Sequence, residues 1–420
     1  MERLGVRTAF CALVAFAFVA LAGSSVLAAP QEHVLYEFTG GTDGGGPMGR
    51  LALNMSSGNF YGTTHFGGIV TCGGQIGGGC GVVFQLSHLG SRWTETPIFA
   101  FADGPDGGFP NAGVIFDPFG NLWGSASTGG NPACSLGCGV VYQLIDNSGV
   151  WSEAILHAFD GTDGQFPNSD LTIGNSDNTY GTTWYGGAHG AGVVFRIRSV
   201  FSGFVFNDLY SFNGTQDGSS PAGGVVEANG DLFGTTYPYN GYNDGVVFKL
   251  RERDFVPFKY HLIEAFGRGD GRAGENPYAG LTVDAAGDLY GTTIEGGNSG
   301  SGVVFELLPN GGHFRKRVLH TFTGSPDGSS PYAGLTIDAA GNLYGSTVFG
   351  GTYNYGTVFE LHPDQRGNYK ERILYNFTGS GDGANPKAAP ILDSSGNLYG
   401  TTEGGGQYGE GVAYEITQKD

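Results

Sequence analysis

Basic residues are scarce in this chain: 20 Lys and Arg stand against 39 Asp and Glu, for a formal net charge of −19. A surface of that sign repels phosphate backbones and anionic lipid, which argues against nucleic-acid and acidic-membrane partners. Helical periodicity is missing throughout, and beyond the first residues no apolar run is long enough to cross a membrane. The familiar chemical motifs are absent too. There is no Gly-x-Ser-x-Gly elbow, no His-Glu-x-x-His, no phosphate-binding glycine loop ahead of a helix and no Asp-x-Asp-x-Asp-Gly calcium loop. The 9 His are scattered, so the sequence offers no triad. No cofactor is expected; calcium has no motif to support it, and the acidity is what solubility of an exported protein requires.

What is present begins with a targeting segment. Arg3 and Arg7 precede an apolar run over residues 9–23, and Val26-Leu27-Ala28 has the form of a small-residue cleavage site. Residues 1–28 read as a signal peptide, with an uncleaved anchor as the alternative. Residues 29–420 read as one domain. The chain closes on GVAYEITQKD, with neither an apolar tail nor a sorting motif. A soluble, monomeric protein, secreted or periplasmic, is the expectation.

Glycine is abundant, 79 of 420 residues, and aperiodic glycine at that level would mean disorder. Here it keeps register with strands. Residues 331–361, PYAGLTIDAAGNLYGSTVFGGTYNYGTVFEL, hold a strand in GLTID, a Gly-Asn hairpin, a strand in NLYGST, a glycine-rich loop and a strand in GTVFEL. Residues 370–377 supply a fourth strand. The second-strand anchor recurs at Tyr61, Trp123, Tyr180, Phe233, Tyr290, Tyr344 and Tyr399, each followed by Gly and two small residues. The third strand recurs as GVVF or a close variant from Gly81 to Gly411. A period of about 55 residues with four strands per unit predicts propeller blades, since solenoid repeats are shorter. The fold class is therefore all-β, a seven-bladed β-propeller. The strand over residues 33–38 matches the fourth strand of a unit, while the chain ends on a third strand. The first strand should complete the last blade and close the ring.

The pattern NLYGTT, then GG, then GTVF, resembles the bacterial tandem-repeat proteins named for Gloeobacter and Verrucomicrobium, the GloVer repeats. The resemblance covers essentially all of residues 29–420. It implies an exported repeat protein of no established activity, often carrying a C-terminal anchor, which this sequence lacks.

A catalytic group is needed once, so residues present in every unit read as scaffold and departures carry the information. The loop F-x-G-x-x-D-G-x-x-x-P places Asp43, Asp106, Asp163, Asp217, Asp270, Asp327 and Asp382 before glycine, as turn-holding carboxylates rather than cation ligands. Cysteine is the first departure. Cys11 lies in the signal; Cys72, Cys80, Cys134 and Cys138 fall in second-to-third-strand loops, with local pairing 72–80 and 134–138 expected and a four-Cys zinc site the alternative. The second is aromatic: His65, Phe66, Trp184, Tyr185, Tyr237, Tyr239, Tyr242, Phe349, Tyr353, Tyr355 and Tyr408 should ring one face, where sugar rings could stack. The third is charged. Arg50 and Asp170 replace small residues at the start of the inner strand, at the tunnel mouth, and Glu227 replaces an apolar residue on that strand. Glu227 is the lone acid–base candidate, without the second carboxylate that glycosidic hydrolysis needs. The expected function is a non-catalytic binding module for extracellular carbohydrate or an exported protein; the rivals are a hydrolase or lyase at the tunnel mouth and a purely structural envelope protein.

Overall fold

The computed structural model describes residues 30–418, apart from 69–70, 73–74, 77, 91, 176–177, 202, 239–243, 254–255 and 268–270. The expected signal peptide, Tyr239, Tyr242 and Asp270 lie outside the described residues. Seven four-stranded antiparallel sheets form the blades of a propeller. Blade 6 is representative, with strands Thr336–Ile337, Leu343–Thr347, Thr357–Pro363 and Tyr369–Asn376 from the axis outward. Only two or three residues of each innermost strand pair, fewer than the alternating pattern suggests. Blade 7 is composite: Gln31–Glu37 pairs antiparallel with Val412–Thr417, from Gln31 opposite Thr417 to Glu37 opposite Val412. The first strand thus closes the ring.

The repeated residues each have a physical task. The third-strand aromatic (Phe84, Tyr142, Phe195, Phe248, Phe305, Phe359, Tyr414) is fully buried in every blade. It meets the Phe that ends the outer strand of the preceding blade, with ring centroids 5.0 Å apart for Phe38–Phe84 and 5.3 Å for Phe159–Phe195. Such a pair adds about 0.5–1.5 kcal/mol to the burial of the two rings. The anchor glycine lies beneath the same ring: a Cβ on Gly62 would stand 2.5 Å from Phe84 Cζ. Opposite this aromatic the outer strand bulges by one residue, at the same register in all seven blades. A bulge there increases twist where one blade turns towards the next.

The two hydroxyl residues after that glycine divide the hydrogen bonding. The first bridges blades: Thr63 donates to Ala112 O at 2.7 Å, and Thr235 to Ala279 O at 2.7 Å. The second closes the hairpin, as when Val303 N donates to Thr293 Oγ1 and that hydroxyl donates to Glu295 O. The three hydroxyls are buried, where an unmet partner would cost about 1–3 kcal/mol.

The Asp-Gly loops behave as turns. Asp106 accepts from Ala102 N at 2.7 Å and Asp382 from Thr378 N at 2.8 Å. Tyr36, Tyr210 and Tyr375 donate their hydroxyls to Asp43, Asp217 and Asp382. Disulfides join Cys72 to Cys80 and Cys134 to Cys138, the local pairing. Two disulfides suit an oxidising compartment. Among the described residues no helix is long and apolar enough to cross a membrane.

Candidate functional site

All seven blades line an axial cavity of about 1040 Å³. Its mouth is built from two columns of the repeat. One is the residue after the proline that starts each inner strand: Met48, Asn111, Asn168, Ala222, Tyr278, Tyr332 and Lys387. The other is the residue following the two hydroxyls of the second strand: His65 and Trp184 line the cavity, and Tyr237 and Glu403 flank it against Tyr278 and Lys387. The proline fixes the backbone, so the neighbouring side chain is free to vary from blade to blade.

These columns divide the mouth into two arcs. Blades 3 to 6 give an aromatic arc: Tyr278 meets Trp184 at 6.2 Å, Tyr237 at 5.7 Å and Tyr332 at 5.1 Å between centroids. Burial, reinforced by Tyr332, Tyr237 and Tyr185, pushes the Tyr278 phenol up to about 12, so it stays neutral. Blades 7, 1, 2 and 3 give a polar arc. Lys387 Nζ pairs with Glu403 Oε1 at 2.7 Å, while Asn111 Nδ2 donates to Ser127 Oγ at 2.9 Å and to Asn168 Oδ1 at 2.8 Å. His65 lies on this side. Burial, and then the Lys387 charge, lower its pKa to about 4, so the ring is neutral at ordinary pH.

Below the mouth stand the two charged departures. Arg50 reaches from blade 1 to blade 6, where its Nη2 donates to Thr336 Oγ1 at 3.0 Å. Asp170 Oδ1 accepts from Gly113 N at 2.9 Å, and its side chain is open to the cavity. The low-polarity walls raise the Asp170 pKa against the pull of Gly113 N–H and Arg50. The same walls lower that of Arg50 against the pull of Asp170. The pair influence each other's charge without closing an ion pair. Three polar atoms beside the cavity are buried without a hydrogen-bond partner: Arg50 Nε, His65 Nδ1 and Trp184 Nε1. Buried polar atoms normally find a partner, so these are places for ligand or water.

The other candidates are placed elsewhere. Glu227 is not among the cavity-lining residues. Its oxygens accept from Asn175 N at 2.8 Å and Asn175 Nδ2 at 2.6 Å, clasping blade 4 to the inner hairpin of blade 3. Asp170 is consequently the single carboxylate among the described residues that line the cavity, and the Glu403 carboxylate at its edge is held by Lys387. Tyr185 lies parallel to Trp184 at 5.7 Å. Phe66, Phe349, Tyr353, Tyr355 and Tyr408 are exposed on the loops and do not line the cavity. Tyr278, Tyr332, Asn111, Asn168 and Lys387 were not singled out from the sequence. Their signal is the one column beside a repeated proline where almost every blade differs.

The fold and this mouth define a propeller whose axial face is asymmetric from blade to blade. The model of the Gloeobacter/Verrucomicrobia repeat matches residues 133–336 and 316–420, and the chain belongs to that family. No curated protein matches the chain. Among solved structures, a provisionally named 6-phosphogluconolactonase from Bacteroides uniformis is similar at 15% identity and a TM-score of 0.49, covering 81% of this chain and 88% of its own. A protein of unknown function from Dyadobacter fermentans is similar at 11% identity and a TM-score of 0.46, covering 93% of this chain and 98% of its own. These likenesses are distant, and nothing about activity is taken from them.

Proposed function

We propose that the protein is an exported, non-catalytic binding module that takes a saccharide at the axial mouth. The observation that carries this reading is the division of the mouth into an aromatic arc, Trp184, Tyr237, Tyr278 and Tyr332, facing a polar arc that includes Asn111 and Asn168. A sugar ring has one apolar C–H face and an equatorial belt of hydroxyls. The aromatic faces suit the first, and the amides with the unpartnered Arg50 Nε and Trp184 Nε1 suit the second. Arg50 as donor and Asp170 as acceptor extend the hydroxyl-binding surface below the mouth. Hydrolysis is the weaker reading, because a glycosidase pairs two carboxylates across the bond, whereas Asp170 is the one carboxylate in the lining and Glu403 at its edge is tied up by Lys387.

The test is a glycan and cell-wall polysaccharide screen of the purified chain, with and without calcium, alongside a Trp184→Ala, Tyr278→Ala double variant. Binding by the parent that the double variant loses supports the mouth as the site. Binding only with calcium would implicate the Asp-Gly turns instead. If no glycan binds, the saccharide reading falls and an exported protein partner becomes the one to pursue.

A further inference from the structure

His320, Asp327 and Glu371 meet where blade 5 passes into blade 6, on the outer edge of the ring and away from the mouth. His320 lies near the end of the outer strand His313–Thr321, Asp327 sits in the Asp-Gly turn that follows, and Glu371 lies on the outer strand Tyr369–Asn376 of the next blade. His320 Nε2 is 3.3 Å from Asp327 Oδ2 and 3.4 Å from Glu371 Oε1. One ligand atom from each residue lies within 4.8 Å of the other two. Neither contact has hydrogen-bond geometry: His320 Nε2, Asp327 Oδ1 and Glu371 Oε1 are all buried without a hydrogen-bond partner.

The corresponding joint between blades 2 and 3 shows what two of these groups do alone. There His157 Nε2 closes on Asp163 Oδ2 at 2.7 Å, and the place of Glu371 is taken by Phe206, stacked on the imidazole at 3.7 Å. At the register of His320 the other blades carry Tyr36, Phe99, His157, Tyr210, Glu264 and Tyr375. Only the joint between blades 5 and 6 unites His with two carboxylates among the described residues. Its nitrogen-to-oxygen separations match a tetrahedron edge, which is about 3.3–3.4 Å when metal–ligand bonds are about 2.0–2.1 Å.

We propose that this joint is a structural zinc site, with His320 Nε2 and one carboxylate oxygen each from Asp327 and Glu371 as protein ligands and water as the fourth. One imidazole with two carboxylates suits zinc, whereas calcium and magnesium favour all-oxygen shells. Thr323 supplies outer support: its N and Oγ1 donate to Asp327 Oδ2 at 3.2 and 3.1 Å, fixing the carboxylate. The ion would tie two outer strands and their connecting turn together, and it is independent of what the mouth binds.

The experiment titrates the chelator-stripped full chain, made without an affinity tag, with zinc chloride against a chromophoric competitor. His320→Ala, Glu371→Gln and the control His157→Ala are run beside it. The parent and His157→Ala should each bind a single zinc ion and melt at a higher temperature with it, whereas His320→Ala and Glu371→Gln should lose both effects. Glu371→Gln is nearly isosteric and keeps the test valid if His320→Ala does not fold. Failure of the folded parent to bind zinc, or unchanged zinc affinity in Glu371→Gln, overturns the site.

Discussion

The hydroxyl of Thr401 donates to the carbonyl of Gly49 at 3.4 Å, joining blade 7 to blade 1 with the bond that Thr63 makes to Ala112 in joining blade 1 to blade 2. The closing joint is therefore of the same kind as the others, although its two sides come from opposite ends of the chain. Phe38, the last residue brought in by the N-terminal strand, completes it by packing on Phe84.

Closure should depend on the ring pair more than on the hydroxyl. Phe38 is fully buried, and truncating such a side chain leaves a cavity, so Phe38→Ala should lower unfolding stability by about 3–5 kcal/mol. Thr401→Val removes one hydrogen bond and should cost about 1–3 kcal/mol. Chemical denaturation of the two variants checks the order. Equal losses would mean that the aromatic pair does not hold the joint.

The outer joints carry a pH response. Glu95 faces Asp43, Glu153 faces Asp106 and Glu32 faces Asp382; burial first, and then the facing carboxylate, raise their pKa values to about 8, 7 and 7. The neighbouring Tyr375 hydroxyl opposes the rise at Glu32. The ordinary value is 4.5, so the folded state holds protons that the unfolded chain releases between that value and about 7 to 8. Their contribution to stability is complete below the unfolded value and is lost as pH rises through the folded ones. The melting temperature should accordingly fall between about pH 4.5 and about pH 8. Glu95→Gln, neutral at every pH, should raise it at the alkaline end and leave it nearly unchanged in acid. A variant that follows the parent at both ends would refute this account.

The blade count, the closing strand and the disulfide pairs were legible because each is written in local spacing. A strand, a tight turn and a glycine under an aromatic ring repeat at fixed intervals, and Cys134 and Cys138 are too near each other to need a partner from elsewhere. The axial mouth was legible only in part. Trp184, Tyr237 and His65 follow the repeated second strand, so they stood out. Tyr278 and Tyr332 sit beside a proline read as scaffold, and only the ring geometry brings Tyr278 against Trp184 and Tyr237, and Tyr332 against Tyr278. Glu227 looked like an isolated acid because its partner, Asn175, belongs to another blade and to an unremarkable hairpin.

The disulfides should be modest stabilisers. Cys134 and Cys138 enclose a short loop in blade 2, so replacing both with Ser should cost about 2 kcal/mol by the loop-entropy relation. Thermal melts with and without reductant provide the measurement. A loss near that of Phe38→Ala would show that the loop is needed for assembly of the blade itself.

The mouth and the outer rim make different predictions for any saccharide that binds. A ligand at the mouth contacts Trp184 and Tyr278 with its apolar face, so removing either ring should weaken binding by about 1–3 kcal/mol, the scale of a buried aromatic contact. Asn168→Ala should weaken it by about 1 kcal/mol through a lost hydrogen bond. Arg50→Met preserves length while deleting the donor below the mouth; it should reduce affinity for ligands long enough to enter the cavity and spare monosaccharides. Tyr353→Ala and Tyr408→Ala alter exposed loop residues outside the cavity lining and should change nothing. Calorimetric titration of one oligosaccharide and of its monosaccharide unit across the six variants separates the cases. Losses confined to Tyr353 and Tyr408 would move the site from the axis to the rim.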